Sequence, residues 1–281
     1  MSTIVHRFIR RAALCAVLLL AFVACGKKDS GGAAQEASAS TPEKVYVVGT
    51  DAAYAPFESQ NEKGDIVGFD IDVVRAIAAK AGITVTFANT PWEGIFNALK
   101  QGDRDLLVSS IPITDERKQS MDFSDPYFDA HQLIAVKADS KIARFEDLKS
   151  RKVGVQTGTT GDETISKLQG KNSPDIKRFE STPLALKELE TGGIDAVVAD
   201  NGVVVNYMKN NAGNKFKTVN DAAFAPEHYG IAVKKGNAAL LARLNKGLAA
   251  IKADGSYDRI YASYLGAPDA AASAPSPSAS K

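Results

Sequence analysis

Two cysteines among 281 residues, Cys15 and Cys25, both near the start, leave no material for a disulfide framework. Histidine is as scarce: His6, His131 and His228. Without paired cysteines or a histidine cluster there is no ligand set for a metal centre, and no metal or cofactor is expected. No G-x-S-x-G, P-loop, H-E-x-x-H or C-x-x-C pattern occurs, so the commonest signatures of acyl transfer, phosphate binding, metalloproteolysis and redox exchange are missing. Neither charge dominates: 34 Lys plus Arg stand against 33 Asp plus Glu. A chain so balanced gives no reason to expect a nucleic-acid partner. The one marked hydrophobic run, Ala12 to Ala24, is too short to span a bilayer.

That run follows Arg7, Arg10 and Arg11 and closes on Val23-Ala24-Cys25, the order of a secretory signal over residues 1–24. Small residues before a cysteine mark a lipoprotein cleavage site, here with Phe22 where a leucine is usual. Cys25 is the expected lipid acceptor. Removing the signal takes away three arginines and no acid, turning the formal net charge from +1 to −2 and leaving the mature domain without a thiol. Residues 25–43 then form a lipidated, flexible tether of Lys, Gly, Ala, Ser and Gln, and residues 267–281, rich in Ala, Ser and Pro, a disordered tail. The roughly 220 residues between suffice for two lobes of ordinary domain size.

Within that span apolar runs and helical periods alternate. Val45 to Gly49, Ile83 to Phe87 and Asp105 to Ser110 read as strands; Phe69 to Ala81, stopped by Gly82, and Trp92 to Lys100 read as helices. The alternation resumes after His131: strands at Gln132 to Val136, Lys152 to Gln156, Ile176 to Phe179 and Ile194 to Ala199 enclose helices at Gly161 to Leu168 and from Thr182-Pro183, an N-cap and first-turn proline, to Glu190. Leu99-x-x-Gly102-x-x-Asp105-Leu-Leu-Val is echoed by Leu189-x-x-Gly192-x-x-Asp195-Ala-Val-Val, which suggests two similar α/β lobes. Helical patterns at Ala238 to Lys252 and Tyr257 to Leu265 close the chain. Such alternation implies right-handed crossovers and mostly parallel sheets.

In open α/β sheets ligands bind beyond the carboxyl ends of strands. Asp51, Ser109 and Ser110, Gln156 to Thr160, and Asp200 all fall there, two groups from each half, so a cleft between lobes would gather them. Arg117 follows Ser109 and Ser110 after a short turn. On pattern alone it is equally a carboxylate seat or one more charge on a solvated helix start, and the convergence favours the seat. Asp200 has its own bland reading as N-cap of a helix over Gly202 to Lys209.

The string S-S-I-P-I-T-D-E-R-K with M-D-F-S-D-P-Y-F at 109–128 resembles the signature of the polar amino-acid-binding proteins that serve ABC importers. The resemblance continues through T-D-A-A-Y-A-P-F at 50–57, G-F-D-I-D at 68–72, V-G-V-Q-T-G-T-T at 153–160, D-A-V-V-A-D at 195–200 and Y-G-I-A-V at 229–233. It implies a two-lobed periplasmic-binding-protein fold, each lobe a mostly parallel sheet flanked by helices: 44–126 with 230–266 as lobe 1, 132–224 as lobe 2, and hinge crossings at 127–131 and 225–229. It also implies an extracytoplasmic monomer, no enzyme, with an amino acid as ligand and an ABC permease in the inner membrane as partner. Arg117, with backbone N–H groups around Thr159 and Thr160, would take the ligand carboxylate. Asp200 and the Ser110 carbonyl would take the ammonium. Tyr54 and Trp92 match the aromatic pair around the ligand side chain, and with Asp51, Asp70, Glu93 and Gln156 would set its chemistry; Asp70 has the alternative of a structural residue capping its own helix. Three acids favour arginine, lysine or histidine; glutamine-binding relatives also carry an aspartate matching Asp51, so glutamine or cysteine stays open. Pro112 departs from the Thr or Ser usual there and offers no donor. Dehydratase-like enzymes and ligand-presenting sensor proteins share the fold and are the alternatives.

Overall fold

A computed structural model describes residues 44–266. The expected signal, the Cys25 lipid site, the tether and the tail lie outside the described residues. Strand β1 (Val45–Thr50) is followed by a small meander, β2 (Ala53–Tyr54), β3 (Glu58–Gln60) and β4 (Ile66–Val67), then α1 (Phe69–Ala81), β5 (Thr84–Asn89), α2 (Trp92–Gln101), β6 (Leu106–Leu107), α3 (Asp115–Ser120) and β7 (Met121–Phe123). The first crossing, β8 (Phe128–Ala130), leads to β9 (Gln132–Lys137), β10 (Val153–Gln156), α4 (Thr160–Gln169), β11 (Ile176–Phe179), α5 (Thr182–Thr191), β12 (Ala196–Asp200), α6 (Asn201–Tyr207) and β13 (Phe216–Val219). The return crossing, β14 (Glu227–Tyr229), precedes β15 (Ala232–Lys234), α7 (Ala238–Ala253) and α8 (Ser256–Leu265).

The main sheets have the orders β5-β1-β6-β15-β7 and β11-β10-β12-β9-β13. In each, four strands point one way, and the exception is the strand that has just crossed over: β15 in the first sheet, β9 in the second. The crossings pair antiparallel, His228 opposite Asp129. The internal echo has a shared cause. Gly102 and Gly192 end α2 and α5 at φ 92° and 88°, a left-handed conformation that glycine adopts without strain. Three residues on, Asp105 accepts the Val47 N–H (2.8 Å) and Asp195 the Lys152 N–H (2.9 Å), each locking its strand to the start of a neighbour.

Both sheets bury their two faces. In the first, Val48, Ile71, Val74 and Ile77 pack with Leu244, Leu248 and Ile251 of α7, while Ile95 and Leu99 of α2 cover Leu107 on the other side. In the second, Ile165 of α4 covers Val155 and Val198, and Leu186 and Leu189 of α5 cover Val197. Two local differences from the sequence reading bear on the site. The strand read over Asp105 to Ser110 ends at Leu107, because Ser110 turns into the left-handed region (φ 46°). Helix α5 is preceded by Ser181 at the N-cap, which frees the Thr182 hydroxyl to donate to Gln156 Oε1 (3.1 Å).

Candidate functional site

The segment between β6 and β7 builds one wall. Thr114 caps α3 and its hydroxyl accepts the Arg117 N–H (3.2 Å), so that hydroxyl is occupied. Arg117 itself is only 8% exposed, which rules out a solvated helix start. Its Nη1 donates to the Pro112 carbonyl (3.0 Å), and the guanidinium lies over the rings of Phe96 (5.2 Å) and Trp92 (5.4 Å). Burial lowers its pKa, and it forms no ion pair with a carboxylate among the described residues. Pro112 thus aims the arginine fork through its carbonyl, while the hydroxyl and N–H usual at its position are absent.

Lobe 2 supplies the opposite wall. Thr159 caps α4, accepting the Asp162 N–H (3.2 Å), and Thr160 opens the helix, so the positive end of a ten-residue helix adjoins the cavity. Asp200 stands at the N-cap of α6 but makes no side-chain capping bond. Its carboxylate instead accepts the Tyr229 hydroxyl (2.5 Å) and the Gln132 amide, while burial raises its pKa. The carboxylate thus lines the cavity and does not cap its own helix.

Between the walls Asp51, at the end of β1, accepts Gln156 Nε2 from the other lobe (3.2 Å); burial raises its pKa. Its own N–H donates to Ser109 Oγ (3.0 Å). The Gln156–Asp51 contact joins the lobes across a partly open cleft. Asp51, Tyr54, Trp92, Ser109, Ser110, Pro112, Arg117, Gln156, Thr159, Thr160 and Asp200 all line it.

Asp70 does not. It is fully buried behind the wall, where its Oδ2 accepts the Ser110 N–H (2.7 Å) and the Tyr127 hydroxyl (2.6 Å), so it holds the serine turn and does not meet a ligand. Glu93 is exposed on α2, outside the lining. The sequence reading missed Glu58, which lines the cavity and is wholly buried. It also missed Gln132, Glu227 and Tyr229 behind Asp200; Gln132 Nε2 lies 3.1 Å from Glu227 Oε2. A three-residue strand such as β3 carries no periodicity, Glu227 and Tyr229 reach the site on the equally short crossing β14, and Gln132 opens the legible strand β9, whose pattern does not show that its first side chain turns to Asp200.

The family model of bacterial extracellular solute-binding proteins, family 3, matches residues 46–267. A probable histidine-binding protein of Neisseria gonorrhoeae is 47% identical over 255 residues, covering 90% of this chain and 94% of that protein. The ABC transporter arginine-binding protein 1 of Escherichia coli (strain K12) is 36% identical over 226 residues, covering 79% and 90%. Among solved structures, the arginine-, lysine-, histidine-binding protein ArtJ of Geobacillus stearothermophilus superimposes with a TM-score of 0.77 at 44% identity, covering 81% of this chain and 97% of its own. Motifs, fold, cleft and family match agree along nearly the whole described length: the chain belongs to the bacterial extracellular solute-binding proteins of family 3.

Proposed function

We propose that this protein captures a basic amino acid, one of arginine, lysine and histidine, between its lobes and delivers it to an ABC permease. The observation that carries this is charge accounting in the cavity. An α-amino acid brings a carboxylate for Arg117 and an ammonium for Asp200, and Asp51 is then left over, a half-buried carboxylate at the side-chain end. A cationic side chain completes that third pair; a neutral one leaves it unmatched. The Trp92 and Tyr54 rings beside it suit a guanidinium, ammonium or imidazolium. Relatives named for arginine, lysine and histidine support this reading, and they are binding proteins, not enzymes. A second reading, glutamine, has its own observation: Asp51 already accepts the Gln156 amide N–H and could hold a ligand carboxamide in the same way.

The lobes would close about β8 and β14 because a ligand that bridges Arg117 and Thr160 to Asp200 binds the closed form better. The mature protein is a monomer held at the membrane by lipid on Cys25. Calorimetric titration with each amino acid tests the ligand. Arginine, lysine or histidine should bind best and Arg117→Ala should abolish binding, since truncating one partner of a buried charge pair removes about 2–5 kcal/mol. Tight binding by glutamine alone would transfer the conclusion to the second reading, and unchanged affinity in Arg117→Ala would place the carboxylate seat elsewhere.

A further inference from the structure

Two carboxyl oxygens at the floor of the site have no donor among the described residues: Glu58 Oε2 and Asp70 Oδ1. They belong to side chains that face each other within hydrogen-bonding contact, both fully buried. Their other oxygens are served. Glu58 Oε1 accepts the Ser109 hydroxyl (3.0 Å), and Asp70 Oδ2 accepts the Ser110 N–H and the Tyr127 hydroxyl. Orphaned acceptors on two facing buried carboxyl groups are what two ionised carboxylates would leave. One proton between them turns a repulsive contact into a hydrogen bond and satisfies both.

We infer that Glu58 is a positioning residue that carries a proton in the ligand-free protein at neutral pH, donates it to Asp70, and gives it up when a cationic side chain enters the cavity. The titratable groups facing the pair are Asp51, Tyr54 and Tyr127, with Tyr257 beyond Asp70, and none of them is a cation. Burial and the neighbouring acid push the Glu58 carboxyl well above its ordinary range, in agreement with the geometry. The division of roles follows from the donors. Asp70, with two strong donors on one oxygen, keeps the charge and pins Ser110 in its left-handed turn; Glu58 keeps the proton and fixes Ser109, whose hydroxyl accepts the Asp51 N–H. Glu58 lines the cavity, so a ligand cation paired with Asp51 acts on Glu58 too and favours its ionised form. The proton then leaves to solvent as the cation arrives, and net charge in the floor is conserved. A neutral side chain exerts no such pull. This last step rests on the proposed basic ligand; the proton in the empty site does not.

Infrared difference spectroscopy of the ligand-free full-length protein at about pH 8 reads the proton directly. The carbonyl stretch of a protonated carboxylic acid should be present, lost in Glu58→Gln and retained in Glu227→Gln. The amide accepts from Ser109 and donates to Asp70 as the acid does, so the variant should fold. A wild-type spectrum without that band, or a band that survives Glu58→Gln, overturns the assignment. Arginine titrated in buffers of different ionisation enthalpy should release a substantial fraction of a proton from the wild type and markedly less from Glu58→Gln. Equal release from both would overturn the coupling while leaving the infrared result to stand alone. Failure of arginine to bind at all counts against the proposed ligand, not against the proton.

Discussion

At the scale of single residues, the cavity is built from side chains whose polar atoms are almost all committed to one another, and the exceptions are informative. Arg117 donates to one carbonyl only, Asp200 is turned away from its own helix, and Asp51 is bonded to an amide donor without a formal charge to match its own. Asp51 is therefore the residue that should discriminate. Replacement by asparagine keeps its shape and removes its charge. Binding of arginine by Asp51→Asn should weaken by about 1.5–3 kcal/mol, roughly ten- to hundredfold, the worth of a hydrogen bond to a charged group. Binding of glutamine should change far less. Isothermal titration with both ligands checks this, and equal losses for the two would show that Asp51 supports the site without reading the side chain. Much of this could be read from the sequence, because polar residues at strand ends advertise a cleft once the strand order is inferred. Asp70 misled because G-F-D-I-D puts it beside residues of the same resemblance. Only the fold shows that its carboxylate turns to Ser110 and Tyr127, and that Glu58 occupies the lining instead.

At the scale of elements, legibility followed length. Helix α1 and strand β11 coincide with their sequence reading, residue for residue, since a period needs several repeats and a clear stop to be seen. The two- and three-residue strands β2, β3, β4 and β7 offer no period, β13 went unread as well, and α3 was read only as a possible helix start at Arg117. The crossings matter most among the short elements, because β14 carries both Tyr229 and Glu227 into the neighbourhood of Asp200. Burial first, and the Asp200 charge second, raise the Glu227 carboxyl from 4.5 to about 7, against the bonds from Thr160 and Gln132 and the distant Arg117 charge. The sign follows: the folded state holds this proton more tightly than the unfolded chain does. The contribution to stability is therefore greatest at or below about 4.5 and is lost as pH rises through about 7. Urea unfolding of the ligand-free protein over that range should show wild-type stability falling, relative to Glu227→Gln, as pH increases. A parallel pair of curves would mean that Glu227 titrates in the folded protein as it does in the unfolded one.

At the scale of the whole molecule, capture depends on how closely the lobes meet, and one contact near the crossings sets a limit. Gly202, in α6 of the second lobe, lies against Phe57 of the first; a Cβ there would come within 2.5 Å of the Phe57 ring. Phe57 has little freedom to withdraw, being fully buried and held edge-on by Phe69, Phe128 and Tyr229. Two of those rings, Phe128 and Tyr229, belong to the crossing strands, so the contact sits beside the proposed pivot. A wedge close to a pivot is amplified farther across the cleft, where Gln156 reaches Asp51. Alanine suits a helix better than glycine does, so Gly202→Ala should leave α6 intact and act between the lobes. Overpacking of this kind destabilises by about 1–3 kcal/mol. Because the clash belongs to the closed arrangement, it should appear as weaker binding, about five- to hundredfold, and not as a general loss of stability in the ligand-free protein. Small-angle scattering at saturating arginine should give a larger radius of gyration for the variant than for the wild type. If affinity and compaction both match the wild type, Phe57 and Gly202 adapt without separating the lobes, and closure is governed by the polar contacts alone.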